Sequence, residues 1–189
     1  MTEVLYSLSN SNEEVVIKLK AKQTSLKGFF ALSDASKITL DNFQTDEVVT
    51  MELMLVKCGA LKEINFGEMD VSKVQNMYGM FGVCSALTKL DASNWEITSV
   101  TNMNSMFSKC TSLKDLNIES FTESRITDPY YARNFLAYDD ALEYCRYSGD
   151  VNSDMTQYFL RNCSKLISFK NAVRVIPLRL KHFAEKTLQ

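Results

Sequence analysis

Residues Leu87 to Ser112 read LTKLDASNWEITSVTNMNSMFSKCTS, and the stretch before them, Leu61 to Ala86, reads LKEINFGEMDVSKVQNMYGMFGVCSA. Aligned without a gap they agree at ten apolar positions: Leu61/Leu87, Ile64/Leu90, Phe66/Ala92, Met69/Trp95, Val71/Ile97, Val74/Val100, Met77/Met103, Met80/Met106, Phe81/Phe107 and Cys84/Cys110. The period is 26 residues. The same frame runs back through Ile38, Leu40, Phe43, Val48, Met51, Met54, Leu55 and Cys58, and forward through Leu113, Leu116, Ile118, Phe121 and Ile126. It loses register at Asp128-Pro129, returns at Leu142, Tyr144 and Tyr147, and absorbs one extra residue before Cys163.

Each unit joins two periodicities. Leu87, Leu90 and Ala92 end in the alternation of a half-buried strand. Val100, Met103, Met106, Phe107 and Cys110 are spaced as one face of a short helix, with Thr98 or Ser99 available to cap it. So short a unit cannot bury both faces alone, and stacking into a solenoid solves this. The expected fold is α/β: a short leucine-rich-repeat-like solenoid with a parallel sheet on one face, short helices on the other and a cap at each end.

The expected organisation is an N-terminal cap over 1–34, with strands at Val4–Tyr6 and Val15–Leu19 and a helix near Ser25–Leu32. Repeats then cover 35–172, as units 35–60, 61–86, 87–112, a degenerate 113–138, 139–165 and a partial 166–172. A basic cap helix follows over 173–189. Stacking turns equivalent residues into ladders, one of Cys58, Cys84, Cys110 and Cys163, another of large side chains at Phe43, Met69, Trp95, Phe121 and Tyr147.

Composition narrows the chemistry. A chain of 189 residues with 46% hydrophobic and 23% charged residues is globular in type. The one histidine, His182, excludes multi-histidine metal sites and reads as a solvated residue of the terminal helix. No Gly-rich phosphate loop or nucleophile motif occurs. No metal, no cofactor, no small-molecule substrate and no catalytic residue is expected, and the chain is read as not an enzyme; a hydrolase working on carboxylates alone would need an acidic pair that does not stand out. The five cysteines are better explained by the repeat than by disulfides. Cys145, alone outside the series, is placed on an outward strand position as the candidate exposed thiol. No apolar run is long enough to cross a bilayer, and the start lacks the pattern of a secretory signal, so the default location is cytoplasmic.

The run L-x-x-L-D-x-S-N-W-x-I-T-S-V-T-N-M-x-x-M-F-x-x-C-x-x-L, here Leu87 to Leu113, closely resembles the BspA-like 26-residue leucine-rich repeat family, a mycoplasma-type repeat of unknown function. Residues 35–126 carry the resemblance well and 139–170 loosely. It implies a solenoid used for binding, adhesion or host-protein contact, and a surface or secreted location as the alternative to the cytoplasm.

Three surfaces stand out. The outward strand face, in the repeat frame, holds Lys37, Asp41, Glu63, Asn65, Lys89, Asp91, Asp115, Asn117, Glu119 and Glu143, and solenoids commonly bind partners there. Six of eight tyrosines fall between 130 and 158; Tyr130, Tyr131 and Tyr138 sit where the repeat breaks and are the candidate contact residues of an irregular loop. Residues 161–189 carry seven Lys or Arg against Glu185, a net of +6 that leaves −8 for the rest of a chain of net charge −2. The expected partner is another protein, with nucleic acid or an anionic membrane as the alternative through the basic tail.

Overall fold

A computed structural model describes residues 4–8, 14–19, 23–40, 43–121, 126, 128–147, 159–166 and 168–170. The chain winds into a β-solenoid of about five turns. An antiparallel hairpin of β1 (Val4–Leu8) and β2 (Glu14–Leu19) opens it, and β2 then runs parallel to β3 (Lys37–Leu40) and β3 to β4 (Glu63–Asn65). A second parallel group holds β5 (Lys89–Asp91), β6 (Asp115–Ile118), β7 (Tyr144–Tyr147) and β8 (Ser168–Lys170). The strand wall is thus two four-stranded sheets divided between β4 and β5.

Among the described residues the expected helices on the opposite wall are not seen. The helical positions of the described residues are a single 3-10 turn, Pro129–Ala132, and Phe159. Elsewhere the segment M-x-x-M-F-x-x-C folds as consecutive turns whose amides alternate between two kinds of partner. The N–H groups of Met77, Gly79, Phe81 and Val83 donate to the carbonyls of Asn102, Asn104, Met106 and Ser108 in the next rung, at 2.8–2.9 Å. Those of Met80, Gly82 and Cys84 donate back three residues, to Met77, Gly79 and Phe81. An α-helix would have sent all of them back four.

The reason is a mismatch of spacings. Stacked strands lie about 4.8 Å apart, whereas packed helices need about 8–10 Å. A wall of turns keeps the strand spacing, so rungs are hydrogen-bonded along the turn wall as well as within each of the two sheets. Inward positions 77, 80, 81 and 84 satisfy helix and turn ribbon alike, which is why the apolar spacing suggests a helix. The Ser25–Leu32 segment forms the same turns, with Leu26, Gly28, Phe30 and Leu32 donating to Thr50, Glu52, Met54 and Val56. It is the first rung's wall and not a capping helix. The C-terminal cap helix of 173–189, with His182, lies outside the described residues, as does Asp41.

The ladders fill the interior. Met51, Met54, Met77, Met80, Met103, Met106, Met69, Trp95 and Phe121 are all buried. Phe81 stacks on Phe107 at 5.1 Å and 9°, Trp95 lies over Phe121 at 6.4 Å, and Phe135 stacks on Phe159 at 4.4 Å. Cysteine thiols run the length of the core, each donating to a carbonyl of the preceding rung: Cys58 to Phe30 (3.1 Å), Cys84 to Leu55 (3.1 Å), Cys110 to Phe81 (3.2 Å) and Cys163 to Leu136 (2.7 Å).

The register shows how the repeat breaks. Leu90 pairs with Leu116, and Leu116 with Cys145, so one step is 26 residues and the next 29. From Tyr144 to Ser168 the step is 24. Cys145 therefore takes the inward place of Leu90 and Leu116 and is buried, which corrects its expected outward position; Tyr144, expected inside, is 47% exposed.

Candidate functional site

Outward positions of the strand wall form two columns. One runs Lys37, Glu63, Lys89, Asp115, Tyr144; the other Thr39, Asn65, Asp91, Asn117, Arg146. Most of the charge here is satisfied sideways. Lys37 Nζ lies 3.3 Å from Glu63, Lys89 Nζ 3.9 Å from Asp115, and Arg146 Nη2 2.7 Å from Asp115 Oδ1, an ion pair outside hydrogen-bond geometry. Asn117 Nδ2 donates to Asp91 Oδ2 at 3.2 Å.

The second column also stands at the last or next-to-last residue of each strand. Asn65, Asp91 and Asn117 accept through Oδ1 from the N–H two residues on, at Gly67, Ser93 and Glu119 (2.9–3.3 Å). Bonds to Ser93 hold the Asp91 carboxyl below the usual carboxylate range. Of the residues expected on this face, Glu119 lies just past β6 as the exposed donor of its turn, and Glu143 precedes β7 half-buried. Arg146 and Tyr144, not expected here, replace Glu143 and Cys145 as the outward residues of β7. Anchoring the unit on Leu142 would have shown this, because Leu142-x-x-Cys145-x-Tyr147 repeats Leu87-x-x-Leu90-x-Ala92.

The tyrosines lie on the turn wall. The three added residues of the long step are taken up in the span before Tyr130, where Pro129 starts the 3-10 turn and Asp128 caps it by accepting the Tyr130 N–H at 2.9 Å. This holds Tyr130 and Tyr131 outward, 59% and 43% exposed, with their rings in a T at 5.5 Å. Their backbones complete the ladder: Tyr131 O accepts from Met103 N (2.8 Å) and Tyr130 O from Asn104 Nδ2 (3.0 Å). Tyr138, at the far end of the same segment, is half-buried, its ring 5.9 Å from Lys109 Nζ and 5.7 Å from Arg161 Cζ. The structure thus brings Tyr130 and Tyr131 together and sets Tyr138 apart.

A shallow depression of about 450 Å³ opens at the corner after β4, lined by Gly67 to Ser72 with Asn94 and Glu96. Asp70 Oδ1 accepts from Ser72 N at 2.8 Å, a bond that holds its carboxyl below the usual range. Among the described residues no three His, Cys, Asp or Glu side chains are grouped to hold a metal ion, and no helix is long and apolar enough to cross a membrane. The neighbouring Cys58 thiol and burial push the Cys84 thiol up, and burial pushes Cys110, Cys145 and Cys163 up, so these sulfurs are held as neutral thiols.

Fold and surface together define a β-solenoid repeat protein with a laterally paired charged face and an exposed tyrosine pair. Residues 24–136 match the family described as "Mycoplasma protein of unknown function, DUF285", and the chain belongs to that family. Among solved structures it is similar to a leucine rich cell surface protein from Faecalibacterium prausnitzii A2-165, at 18% identity over 88% of this chain and 41% of that one, with a TM-score of 0.39. The chain therefore spans about two fifths of that protein's length. No curated protein matches.

Proposed function

We propose that this chain is a non-catalytic protein-binding module of the BspA-like type, whose contact surface is the turn wall around Tyr130 and Tyr131. The observation that carries the reading is the exposed tyrosine pair, held rigidly by a proline-started, aspartate-capped turn. Tyrosine offers large contact area with few rotatable bonds, and a fixed backbone lowers the entropy lost on binding. The strand face supports this choice by contrast. Its Lys37, Glu63, Lys89, Asp115 and Arg146 already pair with one another, so a partner there would have to compete with existing ion pairs. Adhesion at a cell surface is the setting proposed for this binding.

The test is quantitative capture from cell-surface protein fractions by three immobilised proteins: wild type, Tyr130→Ser/Tyr131→Ser, and Lys89→Ser/Arg146→Ser. The expected result is a saturable species held by wild type and the strand-face variant and lost with the tyrosine variant. Equal capture by all three, or loss only with the strand-face variant, would overturn the site.

A further inference from the structure

The cysteine ladder has one gap, and a carboxyl group stands in it. Counting by the strand register, the position of Cys58, Cys84 and Cys110 falls next on Asp139 and then on Cys163. Asp139 has no exposed surface. Its Oδ1 accepts the N–H of Cys110 at 2.7 Å, and its Oδ2 is buried without a hydrogen-bond partner.

Each neighbouring rung shows what the missing group does. The carbonyls of Phe30, Leu55 and Phe81 each take two bonds, one from the amide three residues on and one from the thiol of the following rung. The Phe107 carbonyl takes the first, from Cys110 N at 3.3 Å, and the ladder position from which the second would come is the one that Asp139 holds. A carboxylate has only acceptors to offer a carbonyl oxygen, whereas a carboxylic acid has one O–H donor. We propose that Asp139 is held in the native solenoid as the neutral acid, donating through Oδ2 to the Phe107 carbonyl, so that a single buried proton fastens the irregular rung to the one before it.

The surroundings favour the neutral form. Burial is the main cause that pushes the Asp139 carboxyl up, to about 8, and the exposed Asp140 carboxylate pushes the same way. The Cys110 N–H and the Lys109 backbone act in the opposite sense. Cys110 above and Cys163 below in the ladder, and Cys145 of β7 across the core, are thiols whose own ionisation burial suppresses, so they bring no positive charge. The charged ends of Lys109 and Arg161 are on exposed residues beside the Tyr138 ring.

The sign of the pH effect follows. An unfolded aspartate ionises near 4, so between about 4 and 8 the native state holds a proton that the unfolded state has lost. Stability therefore falls as pH rises through that window and levels off above it. Native-state ionisation above about 8 would loosen the junction at Phe107 and with it the rungs that follow.

Urea unfolding of wild type, Asp139→Asn and Asp139→Cys from pH 5 to 9, with calorimetric proton counting at pH 6.5, tests this. The amide of Asn keeps both an acceptor for Cys110 N and a donor for Phe107 O, and Cys restores the ladder. Wild type should lose stability with rising pH and release close to one proton more than either variant on unfolding. Both variants should lack that slope and exceed wild type at pH 8. Parallel pH profiles for wild type and variants, or no extra proton released by wild type, would overturn the proposal. If one variant fails to fold, the other and the wild-type proton count decide.

Discussion

At single residues, the turn wall depends on backbone conformations that L-amino acids rarely adopt. Leu53, Lys57, Val83, Ser105, Lys109, Asn134 and Tyr138 all have φ between 56° and 66°, recurring at two fixed places in each rung. Only there does the chain fold back three residues while sending alternate amides to the next rung. Such residues store roughly 1–3 kcal/mol of strain each, offset by the bonds between rungs. Val83 is the most strained type, since a β-branched residue fits φ of 65° poorly. Val83→Gly is accordingly expected to raise stability by about 1 kcal/mol in urea unfolding. Gly79→Ala should lower it, because φ is 58° and an added Cβ would stand 2.7 Å from Leu53 Cδ2. Gly67→Ala should cost more, since its Cβ would meet the Leu40 carbonyl oxygen at 2.7 Å and backbone cannot step aside as a side chain can. The surface aspartates have their own pH window. Asp70 and Asp91 have lowered carboxyls, so their contribution is present above about pH 4 and lost as pH falls below it. Asp70→Asn should flatten the acid limb of the stability profile and leave the limb above pH 5 unchanged.

Among elements, the strands were legible in the sequence and the opposite wall was not. Alternation at Leu87, Leu90 and Ala92 marks a strand because only a strand puts every second residue inside. The series Met77, Met80, Phe81 and Cys84 lies inward on a helix and on a ribbon of turns alike, so periodicity cannot separate them; the spacing of stacked rungs does. The positive φ values leave little trace either, since Leu, Lys, Val and Ser occupy places where Gly would have announced a turn. The irregular unit failed for another reason. The sequence frame absorbs one extra residue before Cys163, whereas the register has a long step and then a short one, which turns Cys145 inward and Arg146 outward. The tyrosine pair was legible as a composition cluster at the break, but its exposure depends on the Asp128–Pro129 turn. Packing inside either wall is tight. Met103→Ala should lower stability by about 2–5 kcal/mol by urea unfolding, as for other buried large side chains.

For the whole molecule, repetition makes stability nearly additive along the axis, each rung contacting its neighbours. Excising residues 87–112 joins Ala86 to Leu113 in frame and leaves every ladder position filled. The shortened protein should fold with the same far-ultraviolet circular dichroism shape and a smaller denaturant m-value, because less surface is buried. Removing only half a unit, residues 87–99, should unfold it, because strand positions would then meet turn positions. The M-x-x-M-F-x-x-C wall is bonded between rungs and not within a helix. Through-hydrogen-bond NMR couplings decide this at one amide, that of Phe81. Coupling from the Phe81 amide to the Met106 carbonyl is the predicted result. Coupling to the Met77 carbonyl, four residues back, would mean a helix and rule out the ribbon of turns.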